Sequence, residues 1–177
     1  MPIIAKNSGG DFTPAPEGLW PAVCVDVVDK GMVESAKYKP RHMVQLRWVL
    51  DAEPALPDGR PHMAVRSFGL SLGEKSNLRP LLEAWRGKKF TNEELEGFDL
   101  EKLIGVNCQV QILHNVSQGK TYGNVQAVVP AARGVAKMEV PADYVRQYVR
   151  DERALLEENP NPEPVYETEI SDDDIPF

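Results

Sequence analysis

The chain has 177 residues, of which 42% are hydrophobic and 27% charged, a length and balance that permit one packed domain with an extension and exclude a wholly disordered or fibrous protein. The formal net charge of -7 joins two unlike regions: residues 151–177 carry ten acids against Arg153 alone, whereas the other 150 residues hold 19 bases against 17 acids. No apolar run approaches the roughly 20 residues a bilayer span needs, and Met1-Pro2-Ile3-Ile4-Ala5-Lys6 lacks the basic stretch and apolar core of a secretion signal, so a cytoplasmic protein is expected.

Residues 1–18, with Ser8-Gly9-Gly10 and Pro14-Ala15-Pro16-Glu17-Gly18, read as an irregular leader. Residues 19–29 are rich in β-branched side chains and predict a strand with Lys30-Gly31 as its exit. Cys24 within it and Cys108 further on fall in apolar stretches far apart in sequence. Both are expected as reduced core residues, with no disulfide framework and no CxxC site. Residues 41–51 alternate with period two, setting Val44, Leu46, Trp48 and Leu50 against Met43, Gln45, Arg47 and Val49. Pro57-Asp58-Gly59-Arg60 is a turn signal, and residues 62–71 predict a third strand in which Ala64, Arg66, Phe68 and Leu70 share one face.

The period then changes. Leu78, Leu81, Leu82 and Trp85 form one helical stripe, with Asn77 placed to cap it, Pro80 tolerable in its first turn and Gly87 placed to end it. Thr91 with Glu94 three residues later is a capping box for a second short helix, and Asp99 announces a third turn. Strands resume where Val106, Cys108, Val110 and Ile112 alternate with Asn107, Gln109, Gln111 and Leu113. Ser117-Gln118-Gly119-Lys120 turns the chain into residues 121–129, where Tyr122, Asn124 and Gln126 alternate with Gly123, Val125 and Ala127.

Three strands, a helical insertion and two more strands is the order of a five-stranded OB-fold, a small Greek-key barrel, and this mainly β fold is expected over residues 19–130. An open five-stranded α+β sheet fits the same string. Residues 131–158 read as a linker in which 141–158 fit one amphipathic helix. Its broad face would carry Tyr144, Val145, Tyr148, Val149, Leu155 and Leu156, to pack on the barrel or pair with another subunit; a loosely helical linker fits equally. Residues 159–177, dominated by Pro, Glu, Asp and Asn, are expected as a disordered acidic tail.

That tail closes with Asp172-Asp173-Asp174-Ile175-Pro176-Phe177. A terminal ring beside an α-carboxylate, approached through a stiff Pro and three carboxylates, suits a peptide hook for a basic-rimmed apolar pocket. The string resembles the acidic tip of bacterial single-stranded DNA-binding proteins. The resemblance implies that the tip recruits replication, recombination and repair enzymes and that the tail competes with DNA for a basic groove. The glycine-rich opening motifs of the housekeeping members are absent. The run Phe12-Thr13-Pro14-Ala15-Pro16-Glu17-Gly18, the strand from Pro21 to Asp29, the segment from Leu70 to Leu78, and His114-Asn115 before Gly119-Lys120-Thr121-Tyr122 are instead similar to OB-fold proteins of bacteriophage replication and recombination regions. That likeness implies a phage or prophage single-stranded DNA-binding protein, acting in the bacterial cytoplasm, that borrows the host's tail.

Unpaired strands are held by a basic groove for phosphates and by aromatic rings on which bases stack. Residues 30–89 carry twelve bases against six acids. On the third strand Arg66 and Phe68 point the same way, and on the fifth Lys120 and Tyr122 do likewise; these two pairs are the leading DNA-binding candidates. Arg47 joins them from the second strand, and Lys37, Tyr38, Lys39 and Arg41 from the loop between the first two strands. Trp48 and Trp85 are expected in the core.

Catalysis is not expected. Gly119-Lys120-Thr121 copies the end of a Walker A loop, but His114 stands where its first glycine belongs and the segment leads into a strand. His42, His62 and His114 show no ligand spacing, so neither metal nor cofactor is expected. Two alternatives remain open: an interaction or decoy protein that occupies receptors of the host tail without binding DNA, and a small nuclease.

Overall fold

The computed structural model describes residues 13–158, so the tail 159–177, its tip Asp172, Asp173, Asp174, Ile175, Pro176 and Phe177, and the first twelve residues lie outside the described residues. Residues up to Tyr144 belong to one compact unit and those from Val145 to a second, and each is described by itself.

The first unit is mainly β. Its strands are β1 (Gly18–Val33), β2 (Arg41–Leu50), β3 (His62–Gly69), β4 (Asn107–Ser117) and β5 (Lys120–Pro130), with helices α1 (Leu78–Arg86) and α2 (Asn92–Glu96) and a 3-10 turn at Leu100–Leu103 between β3 and β4. All five strands lie in one antiparallel sheet of order β3-β2-β1-β4-β5. The sheet is not closed: β3 and β5 are its edges and share no ladder. They are tied instead by the Arg66 guanidinium, whose Nη1 donates to the Val125 carbonyl at 3.1 Å.

β1 runs through the expected exit Lys30-Gly31 and ends at Val33, four residues past the expected last residue, Asp29. Its pairing with β2 skips Val25 and Lys30, two bulges, and Gly31 at φ 65 takes a left-handed conformation inside the second one, where its N–H donates to Asp29 Oδ1. The bulge absorbs the glycine, so the ladder continues to Val33 opposite Arg41. In β5 the pairing skips Gln126, so the buried residues fall at Val125 and Val128, three apart, instead of keeping strict alternation.

One face of the sheet builds the core. Cys24, Leu46, Trp48, Leu50, Phe68, Val110 and Ile112 are buried with Leu78, Leu81, Leu82 and Trp85 of α1. The helical stripe is where its spacing placed it, and Trp85 also donates through Nε1 to the Asn107 carbonyl of β4 at 3.2 Å. Asn77 makes no side-chain cap; Ser76 Oγ accepts from the Arg79 N–H at 3.3 Å, one residue earlier than expected. Gly87 ends the helix at φ 72. The Thr91–Glu94 capping box is formed in both directions, and Glu94 also receives both Arg86 nitrogens, at 2.8 and 3.1 Å, while the Arg86 guanidinium stacks over Phe90 at 4.5 Å and Phe98 at 5.6 Å. Cys24 and Cys108 are buried and form no disulfide, and burial pushes the Cys108 thiol up.

Two irregular segments complete the unit. Residues 13–17 form no helix or strand, yet they pack on the sheet. Ala15 is buried, the Ala15 carbonyl bonds the His114 ring at 2.7 Å and Glu17 accepts from the His114 N–H at 2.8 Å. A Cβ on Gly123 would lie 3.0 Å from the Ala15 carbonyl oxygen, so a glycine is what lets this segment lie against β5. Residues 131–144 are not a free linker either. Met138, Val140 and Tyr144 pack on Val23, Val25 and Val49 on the outer face of β1 and β2, and the Asn107 amide makes two bonds with the Met138 backbone, at 2.7 and 2.9 Å. Tyr144, expected on a helix, therefore belongs to this strap. In the second unit the helix, α3, covers only Gln147–Glu158.

Candidate nucleic-acid interface

The loop between β1 and β2, residues 34–40, carries Lys37, Tyr38 and Lys39, all exposed. It begins in a turn in which Ser35 accepts from the backbone N–H groups of Lys37 and Tyr38. Arg41, the first residue of β2, lays its guanidinium 5.2 Å over the Tyr38 ring, and that ring is 63% exposed. This cation–π contact presents an aromatic face and a positive charge side by side. Beneath the loop, Asp29 bonds the Gly31 N–H and the His42 ring, and these two donors hold its carboxyl below the usual carboxylate range. The carboxylate is thus engaged at the loop's base, below the cations it supports.

The second cluster sits on the β4–β5 hairpin. Gln118 at φ 50 and Gly119 at φ 75 both take positive φ, as a two-residue turn of the primed type requires. Lys120 and Tyr122 follow it, opposite Ser117 and Asn115, on the face of the sheet away from the core. Tyr122 is 40% exposed and Leu113 shares its face.

Three of the expected contacts are placed differently. Phe68 is buried at 2% exposure in the core, so no base can stack on it without opening the domain. Arg66 shares its inward face, lies 5.0 Å over the Phe68 ring and bonds β5 as described, which makes it a seam residue between the sheet edges instead of a phosphate ligand. The pair does point the same way, but toward the core: β3 presents Met63, Val65 and Ser67 outward. Arg47 does face outward, yet it is engaged. Its Nε donates to Gln45 Oε1 at 2.9 Å, it hydrogen-bonds the Tyr144 phenol, and it stands opposite Asp26 in the ladder. Asp26 is buried and accepts from the Tyr144 hydroxyl at 3.1 Å. Burial is the first cause that raises the Tyr144 phenol pKa, with the Asp26 carboxylate adding to it and Arg47 opposing. Arg47 thus helps hold the strap to the sheet.

Sequence reasoning missed Met63 and Val65, which are 42% and 44% exposed on the outer face of β3. Their signal was present: they alternate with Ala64 and Phe68, and the larger ring belongs inside.

No protein-family model matches the chain, and no curated protein matches it either.

The two cationic clusters stand at opposite ends of the strands. The loop 34–40 follows Val33 at the end of β1, whereas β4 meets β1 only as far as Ile112 opposite Gly18 and continues beyond it to the hairpin. The strap covers the outer face of β2 at Val49, while beside it Gln45 bonds Ser67 and Met63 and Val65 of β3 stay exposed. Such clusters can neutralise phosphates and stack bases on Tyr38 and Tyr122. Among the described residues no group of three or more His, Cys, Asp and Glu is placed to hold a metal ion, and no helix is long and apolar enough to cross a membrane.

Proposed function

We propose that the chain binds single-stranded DNA without strong sequence preference, in phage DNA replication or recombination within a bacterial host. On this reading the tip of residues 172–177 recruits replication, recombination and repair enzymes. The observation that carries the reading is the loop in which Tyr38 stands exposed among Lys37, Lys39 and Arg41, with a cation stacked on its ring. The strand order supports it: β3-β2-β1-β4-β5 with the helices between β3 and β4 is the order of an OB barrel opened between β3 and β5, and in that fold the face of strands 2 and 3 and the loops 1–2 and 4–5 bind oligonucleotides. No catalytic step and no cofactor enter this reading.

Fluorescence anisotropy of labelled oligo-dT with the full chain tests it. Saturable binding that weakens with salt is expected. No binding at low salt, with host proteins still captured through residues 172–177, would make the chain an interaction protein instead.

A further inference from the structure

Between Val28 and Val44 the ribbon of β1 and β2 leaves the core: from Asp29 to His42 every residue is exposed except the half-buried Gly31. No buried side chain therefore fixes the direction in which the loop 34–40 points. The ladder runs up to the loop through Gly31 opposite Met43, Met32 opposite His42 and Val33 opposite Arg41, but a two-stranded ribbon without a buried face is marginal in water. It also begins at a bulge, where Lys30 is skipped and Gly31 stands at φ 65.

One atom spans that bulge. Asp29 Oδ1 accepts from the Gly31 N–H at 2.8 Å on its own strand and from the His42 ring on the other. It thereby fixes the bulged turn of β1 to the residue that follows Arg41, whose guanidinium lies over the Tyr38 ring. The Asp29 side chain is 69% exposed, so the contact adds little to the stability of the whole domain, and its effect falls on the ribbon beyond it.

Charge alone gives Asp29 the contrary role. Between residues 29 and 42 it stands with Glu34 among Lys30, Lys37, Lys39 and Arg41, and an acid beside four cations repels a polyanion. Geometry and charge thus demand opposite signs when Asp29 is removed.

We propose that Asp29 is a positioning residue for nucleic-acid binding: by bridging Gly31 and His42 it aims the loop 34–40, and what it adds through Tyr38 exceeds the repulsion of its own charge. The inference rests on the nucleic-acid reading of that loop and adds to it an acid that strengthens the capture of an anion.

Asp29→Asn and Asp29→Ala remove the same charge, but only Asn keeps an oxygen for both donors. In oligo-dT anisotropy with the full chain, Asp29→Asn should bind about twofold more tightly than the unmodified chain, because a weak repulsion is gone. Asp29→Ala should bind about fivefold more weakly than Asp29→Asn, and more weakly than the unmodified chain, since a loop aimed about a fifth of the time lowers the apparent affinity by that fraction. Both variants should keep the unmodified thermal midpoint. With Tyr38→Ala added to each, the difference between them should shrink to within about twofold, a coupling that general loosening of the domain would not produce. A further readout needs no DNA: trypsin cleavage after Lys37, followed by mass, should be faster in Asp29→Ala than in Asp29→Asn or the unmodified chain. Equal oligo-dT affinity of the two variants, with an unmodified chain that binds, would overturn the inference and leave the nucleic-acid reading standing. So would equal cleavage after Lys37, or a difference in affinity that persists undiminished without Tyr38. An unmodified chain that captures no oligo-dT would overturn both.

Discussion

Phe68 and Tyr122 were matched candidates for stacking on bases, and their surroundings now separate them. Phe68 fills the core between Arg66 and the sheet, so Phe68→Ala should cost about 3 to 5 kcal/mol of stability, measured by urea unfolding, and Phe68→Leu should leave oligo-dT affinity unchanged. Tyr38→Ala and Tyr122→Ala should do the reverse: each should weaken oligo-dT binding by about 1 to 3 kcal/mol with little change in unfolding midpoint. An affinity loss in Phe68→Leu equal to that in Tyr38→Ala would place the stacking surface on the wrong face. The choice of face was the least legible part of the candidate site. Both faces of β3 mix polar and apolar side chains, and what decides between them is packing against α1 and β5, which are distant in sequence. The cationic loop was easier to read, because a short segment with Lys37, Tyr38, Lys39 and Arg41 after a strand has no core to enter.

At the scale of elements, the helices between β3 and β4 are joined by the Arg86–Glu94 pair. Hydrogen bonds from Arg86, then the Thr91 N–H, hold the Glu94 carboxyl at about 2, down from 4.5. Because the folded value is depressed, its stabilisation is fully present above pH 4.5 and is lost as pH falls through about 2. Thermal unfolding should therefore show Glu94→Gln less stable than the unmodified chain at pH 6, with the gap closing between pH 4.5 and 2; a constant gap would deny the pair this role. The strap gives a second check. Tyr144→Phe removes a donor to the buried Asp26 carboxylate and should lower stability by about 1.5 to 3 kcal/mol in urea. Caps and stripes were legible because their signals are local, as at Thr91 and Leu78–Trp85. The strap was not, since it has no periodicity and its anchor, Asn107 on Met138, spans 31 residues. Bulges at Val25, Lys30 and Gln126 were equally silent, for each shifts the phase of a strand without a residue that demands it, Gly31 excepted.

Across the whole molecule the charges are segregated: bases gather in residues 30–89, and acids after residue 150. A domain of near-balanced charge can still hold a polyanion when its cations stand on exposed loops, because potential is set within a screening length of about 8 to 10 Å. The test is the salt dependence of oligo-dT binding for the unmodified chain and for Lys37→Gln/Lys39→Gln/Lys120→Gln. Three phosphate contacts at about 0.7 each predict that the slope of log affinity against log salt flattens by about 2 in the triple variant, evenly across sequences. Equal slopes in the two proteins would contradict the account, as would an unmodified chain that binds no oligo-dT at about 50 mM salt.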